Sequence, residues 1–236
     1  MNVKVGGTRQ NRLLRALSPA DYLLLEPDLK DVFLEQDVVL FEPGDQLEFV
    51  YFPHSGISSV LAVMQDGQTV ETATIGRAGV VGGVSGFGPW RAVARTTVQV
   101  PGTAARISGA RFRAAVRRSD PLAALVLRCG QSILAQIQQT AACNALHDVD
   151  ERLCRWLLLT RDQVDTDVIP LTQDSLAGML GVRRPTVTLA ISKLQAKGVL
   201  ACLERGRLKI IDRRGLEQAA CECYRELRSH SDQLVI

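Results

Sequence analysis

Between residues 31 and 107 short apolar runs alternate with turn residues: DVFLEQ, VVLF, EPGD, LEFVYF, PHSG, ISSVLAVM, QDGQ, TVETATIG, TTVQV, PG and TAARI. Val, Phe, Ile and Thr suit a pleated, half-buried surface, and Pro43-Gly44-Asp45 and Asp66-Gly67 are turn signals. Strands this short and this evenly punctuated predict a sandwich or jelly roll. Ahead of them, residues 9–26 read as two short helices, the second opened by Ser18 as a cap and Pro19 at the first helical position.

From residue 108 the apolar period becomes helical. Leu122, Val126, Cys129, Ile133, Gln136, Thr140 and Cys143 are spaced alternately four and three apart, a heptad series. Such a stripe packs either on its own sheet or on a partner helix. Its narrowness and length suit a partner better, so Leu122, Val126, Cys129, Ile133, Gln136 and Thr140 are the expected dimer seam. Asp148 with Glu151 resembles a capping box and opens another helix, with Leu153, Trp156, Leu157 and Leu158 on its buried side. A polar break at 162–167 precedes a compact unit, 168–236.

Within that unit, LTQDSLAGMLGVRRPTVTLAISKLQAKGVL (171–200) predicts helix, tight turn, helix. Thr172 caps the first helix, Leu176 and Leu180 point inward, and Gly181 supplies a left-handed residue at its end. Pro185 falls in the first turn of the second helix, whose buried face is Val187, Ile191 and Leu194. Its outer face offers Pro185, Thr188, Leu189 and Ser192, flanked by Arg183, Arg184 and Lys193, and Thr186 is a further candidate DNA contact. Small hydroxyl residues allow close approach to a major groove, and Arg and Lys hold phosphates or guanine edges. The next segment, VLACLERGRLKIID, predicts a β-hairpin wing with Arg205 and Arg207 at its tip.

Charge sharpens this reading. The 236 residues carry a net charge of only +3. Residues 183–214, however, hold nine basic side chains against two acidic ones, a local charge of +7 in 32 residues. That field suits the salt-dependent phosphate component of DNA binding. A protein-binding helix-turn-helix beside a ligand-binding module is the alternative, and the same charge argues against it.

Composition is that of a globular chain, with no apolar stretch approaching a membrane span and no secretory h-region, so a cytoplasmic protein is expected. There is no Ser-His-Asp or Cys-His constellation, phosphate loop or dinucleotide fingerprint, so no enzyme is expected. The six cysteines, at 129, 143, 154, 202, 221 and 223, show no C-x-x-C pair and no cysteine–histidine cluster with zinc spacing. Cys221 and Cys223, two apart, would not face each other on a helix and read as small buried apolar residues. No metal and no cofactor are therefore expected.

Taken in order, strand-rich segment, heptad helix, HDVDERL and LTQDSLAGMLGVRRPTV resemble the Crp/Fnr family of transcription regulators over residues 12–215. The resemblance implies an α+β protein: a cyclic-nucleotide-binding-like β-roll (1–118), a dimerisation helix (119–147) and a winged helix-turn-helix (148–236). It implies a homodimer on a palindromic double-stranded operator, with RNA polymerase as a further partner. Recognition helices of the family offer Arg, Glu and Arg to bases. Arg184 matches the first, whereas Pro185 and Leu189 stand at the other two, so a different operator is expected.

The sensor segment departs further from the family pattern. Cyclic-AMP binders resemble G-E-L … R-S-A at the phosphate cassette, where this chain reads GVVGGVSGFGPWRAVARTTV. Val80 replaces the Glu, and Ala92 and Val93 fall where Arg-Ser is usual, with Arg91 and Arg95 close by. Ile137 and Gln138 replace the adenine contacts. Gly79, Val80, Gly82, Arg91, Arg95, Ile137 and Gln138 are thus the expected effector pocket, for an unknown effector other than cyclic AMP. Residues 1–128 hold no cysteine for an iron–sulfur cluster, and His54 lies in a turn that explains it without haem.

Overall fold

The computed structural model describes residues 10–164, 166–204 and 206–234, with side chains as far as 229. It divides into two compact units: residues up to Ser58 with Ile75–Ile133, and Ser59–Thr74 with Leu134–His230. Residues 59–74 thus group with the winged-helix residues, a different division from breaks at 118 and 147.

In the first unit, helices α1 (Arg12–Ala16) and α2 (Pro19–Tyr22) precede strands β1 (Lys30–Leu34), β2 (Val39–Phe41) and β3 (Phe49–Pro53). Strands β4 (Ile57–Val63) and β5 (Thr69–Ile75), most of which group with the second unit, are followed by β6 (Arg95–Val100), β7 (Gly102–Ser108), α3 (Gly109–Val116) and α4 (Asp120–Leu146), whose residues from 134 on also group with the second unit. One sheet has the order β1-β7-β3, antiparallel throughout, and β2 pairs with β6 across a bulge. Ser18 caps α2 by accepting from Asp21 N at 3.2 Å, as its position before Pro19 predicts. Asn11 is fully buried. It caps α1 through Leu14 N and donates Nδ2–H to Pro53 O and Gly79 O, each at 2.9 Å, so it ties the N-terminal segment to the roll. The core gathers Leu13, Leu14, Val50, Phe52, Ile107 and Phe112, with Phe52 and Phe112 edge-to-face at 5.8 Å.

The second unit contains α5 (Val149–Val164), β8 (Val168–Ile169), α6 (Gln173–Leu180) and α7 (Arg184–Ala196), then β9 (Leu200–Leu203), β10 (Arg207–Ile210), α8 (Arg213–Ala219) and α9 (Cys223–Leu234). β8, β10 and β9 form a three-stranded wing sheet, one strand more than the hairpin expected. One bond of the expected capping box forms: Glu151 Oε2 accepts from Asp148 N at 3.2 Å. Leu153, Leu157, Leu176, Val187, Ile191 and Leu208 are at the centre of one core. α5 also buries Arg152 and Arg155, at 7% and 5% exposure, because α6, α7, α8 and β8 all pack on it. At the hairpin, Asp66 Oδ1 accepts from Gln68 N at 3.0 Å and Gly67 has φ +84°, the turn that Asp-Gly predicts.

α4 corrects the expected seam. Leu122, Val126 and Cys129 are buried in the core of their own unit. Cys143 is buried against Cys221, Thr140 is buried, Gln136 accepts from Thr74 N at 3.1 Å, and Ile133 is half-buried. The stripe packs on its own chain and is not free for a partner. A second heptad series on the same helix, Ala124, Leu127, Gln131, Leu134, Gln138, Ala141 and Ala145, is exposed along its whole length. Apolar spacing marked one stripe of α4 but not the surface that covers it.

Candidate nucleic-acid interface

Local signals build the helix-turn-helix. Thr172 Oγ1 accepts from Ser175 N at 3.1 Å and starts α6. Gly181 ends it at φ +64°, a left-handed conformation where a side chain would be strained, and a Cβ there would also press on Val70 Cγ2 at 3.2 Å. Val182 N returns to Ala177 O, and Pro185 sits in the first turn of α7, where its missing N–H costs nothing. Val187, Ala190, Ile191 and Leu194 then face the core.

The opposite face of α7 is open. Arg183, Arg184, Thr186, Thr188, Leu189, Ser192 and Lys193 are all exposed, Leu189 to 58%. Several are tied down in the free protein. Arg184 Nη1 lies 3.3 Å from Asp174 Oδ2, and Lys193 Nζ lies 2.7 Å from Asp150 Oδ2. Thr188 Oγ1–H lies 2.6 Å from Gln173 Oε1, and Ser192 donates to Thr188 O at 2.9 Å. These pairs are solvent-exposed and weak, so breaking them costs little. Arg207 is exposed at the start of β10, its Nε donating to Glu204 O at 3.3 Å. Arg205, the other expected wing residue, lies outside the described residues. The carboxylates Asp150, Asp174 and the amide Gln173 were missed; Asp150 and Asp174 stand in the first turns of α5 and α6, where acids favour helix starts for their own reasons.

The expected effector residues do not form a phosphate cradle. Val80 is 3% exposed and belongs to the roll's core. A Cβ at Gly82 (φ +74°) would stand 2.9 Å from Phe49 O, and one at Gly79 would stand 2.8 Å from Ile75 Cγ2, so tight packing against their own chain accounts for these glycines. Arg91 donates to Gly44 O at 2.6 Å, and Arg95 is paired with Glu42 at 2.9 Å. Ile137 and Gln138 are exposed on α4. A Gly-rich pattern in sequence does not distinguish an anion site from a tight turn.

Cys221 and Cys223 are buried as expected, yet not as isolated apolar residues. They converge with Cys143 and His147, a cluster that the fold assembles without any zinc spacing in the sequence. Cys221 lies in the break between α8 and α9 rather than inside a helix, so the two thiols turn to one point. The i, i+4 spacing of Cys143 and His147 was the available signal.

Residues 151–219 match the Crp-like helix-turn-helix domain, and residues 31–119 match the cyclic nucleotide-binding domain. The chain belongs to the Crp/Fnr family. It is a transcription regulator of that type, with a helix-turn-helix DNA-binding domain. Its fold is similar to FixK2 from Bradyrhizobium japonicum (16% identity, TM-score 0.70, covering 82% of this chain and 98% of that one). It is also similar to a putative Crp/Fnr regulator from Eubacterium rectale (15%, TM-score 0.70, covering 90% and 99%). The c-di-GMP responsive regulator CLP of Xanthomonas campestris follows at 19% identity and TM-score 0.66, covering 83% and 100%. Among curated proteins no sequence matches. No helix among the described residues is long and apolar enough to cross a membrane.

Proposed function

We propose that this Crp/Fnr regulator acts as a cytoplasmic homodimer that binds a palindromic operator and is modulated at its β-rich unit by a signal other than cyclic AMP. The carrying observation is the open face of α7. Arg183, Arg184, Thr186, Thr188, Leu189 and Ser192 form one exposed surface within a segment of charge +7. Arg184 reads guanine, Leu189 contacts a thymine methyl, and Lys193 and Arg207 hold phosphates. RNA polymerase is the further partner through which such a regulator acts.

Dimerisation is assigned to the exposed α4 series, with Leu127 and Leu134 60% and 54% exposed and Ile137 beside them. A series without a charged residue over its length has no reason to face water, and its seven-residue repeat fits a two-fold copy of itself. Against cyclic AMP stand the buried Val80 and the engaged Arg91 and Arg95. The test is selection of binding sites from random DNA with the purified full-length protein. Inverted half-sites about one helical turn apart are expected; unrelated, unpaired sequences overturn the reading.

A further inference from the structure

Cys143 and His147 share the face of the last turn of α4, where His147 N bonds back to Cys143 O at 3.1 Å. Cys221 lies between α8 and α9, and Cys223 opens α9. One donor atom from each of the four lies within 4.8 Å of all the others. Cys143 Sγ is 3.5 Å from Cys221 Sγ, and Cys223 Sγ is 3.5 Å from His147 Nδ1. Tetrahedral zinc, with Zn–S about 2.3 Å and Zn–N about 2.0 Å, sets its ligands about 3.5–3.8 Å apart. The donors therefore stand close to that geometry, although Cys143 and His147 lie 74 or more residues from Cys221 and Cys223 in sequence.

The surroundings are those of ligands rather than of packing residues. Cys143, Cys221 and Cys223 are 0%, 5% and 1% exposed and form a cluster of their own, separate from the two carbon-rich cores. His147 Nε2 lies 3.2 Å from Glu222 Oε2. That carboxylate holds the ring proton on Nε2 and leaves the Nδ1 lone pair facing the sulfurs, the outer arrangement by which proteins orient a metal-binding imidazole. Gln139 Nε2–H donates to Cys223 Sγ at 3.0 Å, a bond that suits a thiolate. Arg152 and Arg155 are buried nearby, each with an unpartnered Nε, and supply positive charge where three thiolates and one divalent cation leave an excess of −1.

We infer that Cys143, His147, Cys221 and Cys223 bind one zinc ion in a closed Cys3His site that ties the end of α4 to the α8–α9 junction. Three thiolates and one imidazole select zinc among common divalent ions, and four protein ligands leave no position for water or substrate, so the site is structural. Three S–H bonds give way to three Zn–S bonds, the protons pass to solvent, and no group is oxidised or reduced.

The experiment uses the full-length reduced protein, loaded with Zn2+ or Co2+ and desalted. One metal per chain is expected, with thiolate-to-cobalt charge transfer in the near ultraviolet and the intense visible bands of tetrahedral cobalt. Zinc loading should protect three thiols from alkylation. Cys223→Ser and His147→Ala should lose the stoichiometric metal, Glu222→Gln should weaken binding about 10–100-fold, and Cys129→Ala should retain it. Should the ligand variants fail to fold, the cobalt spectrum and thiol protection of the unsubstituted protein still decide. Absence of a tightly bound ion, an octahedral cobalt spectrum, or a Cys143–Cys221 disulfide in protein kept under reductant would overturn the assignment.

Discussion

Trp156 Nε1–H donates to Glu71 Oε1 at 2.7 Å, across 85 residues of sequence and between two buried side chains. The bond joins strand β5 to helix α5. Ser59 Oγ–H donates to the second carboxyl oxygen. Burial nevertheless dominates: it raises Glu71 from 4.5 to about 7, against the opposing pull of Ser59, Trp156 and the Arg155 charge.

A carboxyl group whose folded value lies above its unfolded one favours folding while protonated. Its contribution is complete below about pH 4.5 and is lost as pH rises through about 7. The full loss is roughly 3 kcal/mol. Glu71→Gln keeps both partners without the charge, so its advantage over the unsubstituted protein should grow from pH 5 to pH 8. Denaturant unfolding at both pH values measures it; an equal difference at each would refute the buried-carboxyl account.

Arg184→Ala should remove about 1–3 kcal/mol of discrimination between operator and random DNA, with little change in fold because the side chain is exposed. Competition gel shifts measure the ratio. Unchanged discrimination would mean that Arg184 is not a reader.

Arg207→Ala should weaken binding to all sequences alike, and the slope of log affinity against log salt should fall by roughly 0.9. An unaltered slope with a changed site preference would assign the wing to base readout.

The two stripes of α4 make opposite predictions. Leu134→Asp puts two like charges into the proposed seam and should yield a folded monomer with collapsed operator affinity. Leu122→Ala, in the core, should instead cost about 2–5 kcal/mol of stability and leave the dimer intact. Sedimentation with circular dichroism separates them; a Leu134→Asp dimer would sink the seam.

How much was legible in sequence follows from how far apart the cooperating residues lie. The helix-turn-helix was readable because its determinants are local: Thr172 as cap, Gly181 at φ +64°, Pro185 in a first turn, and apolar positions three and four apart. The strand-rich roll was readable for the same reason, from turn residues and β-branched runs. Apolar spacing placed a heptad stripe on α4 but not what covers it, because Leu122, Val126 and Cys129 meet partners that only the folded roll supplies. Tertiary structure alone decided that Val80 is core and that the β4–β5 hairpin groups with the winged helix. It alone paired Glu71 with Trp156 and brought Cys221 and Cys223 to Cys143 and His147. Each of those depends on chain closure over many tens of residues, and no local propensity or period records which distant segments meet.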